Sequence, residues 1–147
     1  MNMKGTPGVC SVGLLVGRLF LSVIFLIAGL SKFVNFESTS AYMAAKGMTM
    51  IPFFLIGGAV VEVIGSLSLI MGFKARWGAL LLILFMIPTT LIFHNFWDYE
   101  GPQQQQEFIE FLKNLGIIGG LIYAATAGPG RFSIDALCQG PSSCCKP

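Results

Sequence analysis

Four apolar runs dominate this chain, at 12–33, 51–73, 77–96 and 108–127. Each is close to the roughly 20 residues with which a helix rising about 1.5 Å per residue crosses about 30 Å of hydrocarbon. A spanning strand needs only about 10 residues of strict alternation, and the runs do not alternate. In lipid, a helix is what remains to satisfy their backbone groups. Composition agrees, since 11% of the 147 residues are charged and 54% hydrophobic, whereas a soluble domain carries about 25% charge. The reading is an all-α membrane protein, a four-transmembrane-helix bundle. It places an N-terminal segment at 1–11, the membrane domain at 12–135 and a cysteine-bearing tail at 136–147. The length leaves no room for a separate soluble module, and a net charge of +2 without a basic run excludes nucleic acid as partner.

The first run is longer than the 7–15 residues of a signal-peptide core, is interrupted by Arg18 and is followed by no A-x-A site, so it reads as a retained helix. The fourth is the weakest, because Glu110, Lys113 and Asn114 lie in its first two turns. Lys and Arg in short loops set topology. One side collects Lys4, Lys74, Arg76, Arg131 and Lys146; the other has Lys32, Lys46 and a loop at 97–107 without either residue. Both termini are therefore expected in the cytoplasm. The connection Phe73-Lys74-Ala75-Arg76 predicts a tight antiparallel pair from the second and third runs. Residues 35–50 leave room for a short amphipathic piece, with Pro52 opening the second helix. The segment from Asp98 through the four glutamines at 103–106 reads as a polar turn, and Gly128-Pro129-Gly130 as the stop of the fourth helix. Trp77 and the group Phe93, Phe96, Trp97 and Tyr99 fall where interfacial aromatic belts belong.

The informative residues are the polar ones inside these runs, because a charge at mid-membrane costs about 2.5–3.5 kcal/mol on insertion scales. Arg18, Ser22, Phe25, Gly29 and Lys32 recur at spacings of four, three, four and three, one stripe that must face the bundle. Glu62 lies between Gly58 and Gly65, which would admit a neighbouring helix to the carboxylate. Thr90 and His94 share a face above Pro88, and Lys113 and Asn114 precede Gly116 and Gly120. Counting rise from the cytoplasmic ends puts Arg18 roughly 9 Å deep and Glu62 roughly 15–16 Å deep. Asn114, Lys113 and His94 fall at roughly 20–26 Å and Lys32 at roughly 30 Å. Two polar layers are expected: an Arg18–Glu62 pair below, and Lys32, His94, Lys113 and Asn114 above. The lower pair is either a register-setting salt bridge or a handler of protons or ligand. The upper group is either two snorkelling lysines with a capping histidine or a pocket for a polar head such as a quinone carbonyl or an anionic lipid.

One histidine excludes bis-His haem within a monomer, and no P-loop, dinucleotide fingerprint or HExxH is present. No catalytic residue or metal site is assigned. Cys10, Cys138, Cys144 and Cys145 all fall on the cytoplasmic side, where thiols stay reduced, and the adjacent Cys144-Cys145 is not a zinc spacing.

Gly17-Arg18-Leu19-Phe20, Gly29-Leu30-Ser31-Lys32-Phe33, Glu62 and Gly72-Phe73 before Ala75-Arg76 resemble the DoxX family of small bacterial inner-membrane proteins. His94-Asn95-Phe96-Trp97-Asp98, Phe111-x-Lys113-Asn114 with Gly119-Gly120, and Gly128-Pro129-Gly130 before Ser133-Ile134-Asp135 extend the likeness over about 12–135. The resemblance implies a DoxX-like four-helix fold in the bacterial inner membrane. Its pattern falls on Arg18, Lys32, Glu62, His94, Lys113 and Asn114. The family's name comes from a subunit linked to a terminal quinol oxidase and a thiosulfate:quinone oxidoreductase. That implies a redox-associated subunit with an intrabundle polar pocket and quinone as its cofactor, serving a respiratory or redox partner protein. If enzymatic, it is a subunit of an oxidoreductase acting on quinol or quinone, not a stand-alone enzyme. The competing readings are a small proton-coupled transporter, with Glu62 titrating at mid-membrane, and a scaffold without chemistry. The glycine faces also permit a homodimer. The tail departs from the family pattern.

Overall fold

The computed structural model describes residues 7–139, all helix and turn, with no strand among them. Lys4, Cys144, Cys145 and Lys146 lie outside the described residues. Four long helices correspond to the four runs: α1 (Pro7–Val34), α3 (Ile51–Met71), α4 (Ala75–Phe93) and α5 (Gly101–Ala127). All four are long and apolar enough to cross a membrane. A short α2 (Phe36–Ala45) fills the connection between α1 and α3, and a C-terminal α6 (Ile134–Gln139) follows α5. Helix α1 packs on α3, α3 on α4 and α4 on α5, while α1 and α5 meet more loosely.

Two boundaries differ from the sequence expectation. The third run stops at Phe93, and Phe96–Asp98 forms a separate 3-10 turn. The fourth helix begins at Gly101, so Gln103 to Gln106, expected as turn, are helical. Pro102 at its first turn is pre-set for helix, and glutamine is a good helix former once hydrophobic burial no longer decides. The expected stops hold: Gly72 ends α3 in the left-handed conformation, φ 65° and ψ 29°, and Gly128 ends α5 at φ 79° with an extended ψ, positive φ values that glycine adopts without a Cβ clash.

The surface is what a lipid solvent selects. Phe20, Phe53, Trp77 and Leu84 are each more than two-thirds exposed, an outward apolar face that water would not tolerate at this extent. The interior is thin and tightly fitted. Lipid tails are as apolar as leucine, so close approach of small residues and dispersion hold such helices together. A Cβ on Gly65 would come within 2.6 Å of Leu82 on α4, and one on Gly78 within 2.7 Å of the Ser68 Cβ on α3. Around this seam Phe25, Leu69, Ala75, Ala79, Leu82, Met86, Leu121 and Ala124 form the core.

One end of the bundle is tied by the segment after α5. The Asp135 carboxylate accepts backbone N–H groups of Lys74 at 2.9 Å and Ala75 at 3.3 Å, satisfying donors that open α4. The Asp135 N–H returns to the Gly72 carbonyl at 3.1 Å. Lys74 itself sits at φ 48°, a conformation that costs a non-glycine residue about 1 kcal/mol or more; the Asp135 bonds offset it. Arg18 donates from Nη2 to the Phe132 carbonyl.

Candidate functional site

The α1 stripe faces the bundle. Arg18, Ser22, Phe25 and Gly29 are buried and Lys32 is half-buried. Ser22 donates to the Arg18 carbonyl one turn back, an intrahelical bond that keeps its hydroxyl satisfied without a partner helix. Gly29 brings the α1 backbone close to α3. A Cβ there would meet Val63 Cγ2 at 3.0 Å and both the Ala59 carbonyl and the Glu62 Cβ at 3.1 Å. This contact sets the site, because one turn farther along α1 stands Lys32. Its Nζ lies 2.8 Å from Oε1 and 2.7 Å from Oε2 of Glu62. The Glu62 side chain is 5% exposed and that of Lys32 25%.

The expected Arg18–Glu62 pair is therefore corrected to Lys32–Glu62. Arg18 lies against Gly72, where α3 ends, ten residues and roughly 15 Å from Glu62 along α3. Lys32 is fourteen residues from Arg18 along α1, roughly 21 Å, so the backbone positions of Lys32 and Glu62 differ in height by only about 6 Å. Side chains lean toward the N-terminus of their own helix. On antiparallel helices that tilts Lys32 down and Glu62 up, and the gap closes. Gly58 and Gly65 do not admit a partner to Glu62 as expected; they receive Phe85 and Leu82 of α4.

The expected upper cluster also resolves into separate contacts. His94 caps the end of α4, and its Nδ1 lies 2.9 Å from Glu107 Oε2 on α5. Lys113 turns outward and pairs with Glu110 one turn away at 2.7 Å, the two side chains 59% and 38% exposed. Asn114 is half-buried. Thus Lys32, His94, Lys113 and Asn114 do not converge, because Lys32, His94 and Lys113 each take a separate carboxylate, two of the three on α5.

What the sequence reading missed is Lys46. Its Nζ donates to the Phe93 carbonyl, Asn95 Oδ1 and the Tyr99 hydroxyl, each at 2.9 Å, and sits 5.0 Å from the Tyr99 ring centroid. Three donors meet three acceptors, one of them a helix-terminal carbonyl. Tyr42, four residues earlier on α2, stacks on Phe93 at 5.5 Å. The i, i+4 spacing of Tyr42 and Lys46 was the available signal. Burial pulls the Lys46 pKa down, but the Tyr99 hydrogen bond and the nearby Tyr42, Tyr99 and Glu107 outweigh it and leave it above 10.5. Tyr42 is raised above 10.0, first by burial.

Chemically, Lys32–Glu62 is a proton donor and acceptor held together away from water, where electrostatic and hydrogen-bond terms are strongest. Two ammonium protons serve the carboxylate oxygens. The third has no acceptor among the described residues, on a side chain that is a quarter exposed.

Residues 13–95 match the family model described as DoxX. Inner membrane protein YphA of Escherichia coli K12 is 35% identical over 122 residues, 83% of this chain and 87% of that one. Inner membrane protein YqjF of the same organism is 35% identical over 128 residues, 86% and 92% of the two chains. A Surfeit locus protein 4 homolog of Schizosaccharomyces pombe is 33% identical over 78 residues, 52% of this chain and 26% of its own length. No solved structure matches. With four helices long and apolar enough to span a bilayer, the family model matched over more than half of its length and most of its sequence aligned with the two Escherichia coli proteins, the chain belongs to the DoxX family of integral membrane proteins.

Proposed function

We propose that this chain is a redox-associated subunit of the bacterial inner membrane that holds a quinone or quinol against Lys32 and serves a partner protein carrying the redox centre. The carrying observation is the remaining N–H of Lys32, an ammonium fixed by two bonds to Glu62 on a side chain that stays partly open. That donor suits a carbonyl oxygen, and the apolar helix surfaces around it suit a ring and tail. A quinone, when bound, supplies two-electron, two-proton chemistry. The chain's own residues would position and polarise it: Glu62 holds the Lys32 ammonium in place and neutralises its charge, and Lys32 would donate a hydrogen bond to a quinone oxygen, favouring negative character there. The name YphA and YqjF carry, inner membrane protein, supports the location.

The test is quinone content of protein purified in native lipid, followed by binding of an added short-chain quinone. Wild type should hold quinone, and Lys32→Gln should weaken binding by about tenfold or more, the worth of a charge-assisted hydrogen bond of about 1.5–3 kcal/mol. A wild-type protein that neither retains quinone nor binds it when supplied overturns the proposal.

A further inference from the structure

At the end of the bundle away from Lys32, α1 touches α5 at one point and the turn after α5 at another, and stands apart between them. Above, Leu21 meets Gly120 at 3.1 Å; below, Leu14 meets Gly130 at 3.2 Å, measured to the Cβ each glycine lacks. Between these points lies a groove of about 500 Å³, lined by Gly13, Gly17, Arg18, Tyr123, Ala124 and Gly128 among others. Nothing lies within 4 Å of a Cβ on Gly13 or Gly17, so the opening does not result from bulky side chains propping the helices apart.

Arg18 lines the groove and is only 3% exposed; its Nη1 packs on Gly72, and neither Nη1 nor Nε has a hydrogen-bond partner among the described residues. Its only protein acceptor there is the Phe132 carbonyl. The neighbouring anion, Asp135, has both oxygens committed to the N–H groups that open α4. A buried guanidinium with unmet donors is costly, and a phosphate offers oxygens in the geometry it takes best. A second cation stands at the rim. Arg76 Nη2 and Nε lie 3.2 and 3.3 Å from the position of a Cβ on Gly128, and Arg76 has no ion pair among the described residues. Arg18 is level with Gly72, where the apolar helix α3 ends.

We propose that this groove binds the phosphodiester headgroup of an anionic phospholipid, with Arg18 at its base and Arg76 at its rim. The site is independent of the quinone reading, since Arg18 and Lys32 are fourteen residues, roughly 21 Å, apart on α1. The full chain is reconstituted into phosphatidylcholine vesicles containing phosphatidylglycerol, and the lipids it retains are read by native mass spectrometry. Wild type should retain phosphatidylglycerol over phosphatidylcholine, and Arg18→Gln should reduce that preference by about tenfold. Gly17→Leu, which fills the groove from an open position and leaves Arg18 in place, should do the same, and decides the matter if Arg18→Gln does not fold. Equal retention of the two lipids by wild type, or an unchanged preference in Gly17→Leu, overturns the proposal. So does displacement of the lipid by inorganic phosphate, which would make the groove a site for a soluble anion.

Discussion

At the scale of single residues, the charges inside this bundle differ sharply in what they cost. Glu62 is 5% exposed, and among the described residues its compensation comes from Lys32. Removing one partner of a buried pair leaves an uncompensated charge and typically costs about 3–5 kcal/mol, whereas replacing both with apolar residues is often neutral. Lys32→Ala should therefore lower thermal stability in detergent by about 3 kcal/mol, nearer the lower figure because Lys32 is partly exposed. Lys32→Met with Glu62→Met should recover most of that loss. A double variant no more stable than Lys32→Ala would show that the pair contributes shape or hydration that methionine does not replace. Lys113–Glu110 is the contrasting case: an exposed i, i+3 pair worth at most about 0.5 kcal/mol.

At the scale of elements, Lys46 fastens α2 to the end of α4 and to the 3-10 turn. Replacing it with methionine should cost about 1–2 kcal/mol through its lost charge-assisted bonds and speed amide exchange in Phe36–Ala45 without disturbing α3. The pH dependence follows from the direction of its pKa. Because the folded value lies above 10.5, the stabilisation is complete at neutral pH and is lost as pH rises through that raised value. Tyr42, raised above 10.0, acts with the same sign, since the unfolded tyrosine ionises first. The stability gap between wild type and Lys46→Met, followed by thermal unfolding from neutral to strongly alkaline pH, should hold up to about pH 10 and narrow beyond it. A gap that widens there would place the anchoring elsewhere.

For the whole molecule, the end that carries Lys74, Arg76 and Arg131 should face the cytoplasm by the excess of Lys and Arg on short loops. A membrane-impermeant thiol reagent should then label the chain's cysteines, the exposed Cys138 among them, only after cells are permeabilised. In a cysteine-free background, a single cysteine introduced by Gln104→Cys at the opposite end should be labelled in intact cells. Labelling of Cys138 in intact cells would invert the molecule, moving the Arg18 groove to the outer leaflet and the Lys46 anchor to the cytoplasm.

What the linear sequence determined alone was the solvent, the number of spans and the inward stripe of α1. Those follow from local quantities: the length of an apolar run, its charge, and spacings of three and four. The burial of Arg18 and Glu62 was legible for the same reason, since lipid leaves a charge nowhere else to go. Partner choice was not. Height counted along each helix ignores how antiparallel helices are staggered and that their side chains lean in opposite directions, and those two displacements moved Lys32 from the upper group to Glu62. The Lys46 acceptors were hidden likewise, because Phe93, Asn95 and Tyr99 reach it only once α2 folds against the end of α4. The groove at Arg18 belongs entirely to the tertiary structure: it exists because α1 touches α5 at Gly120 and the turn after it at Gly130, with open space between.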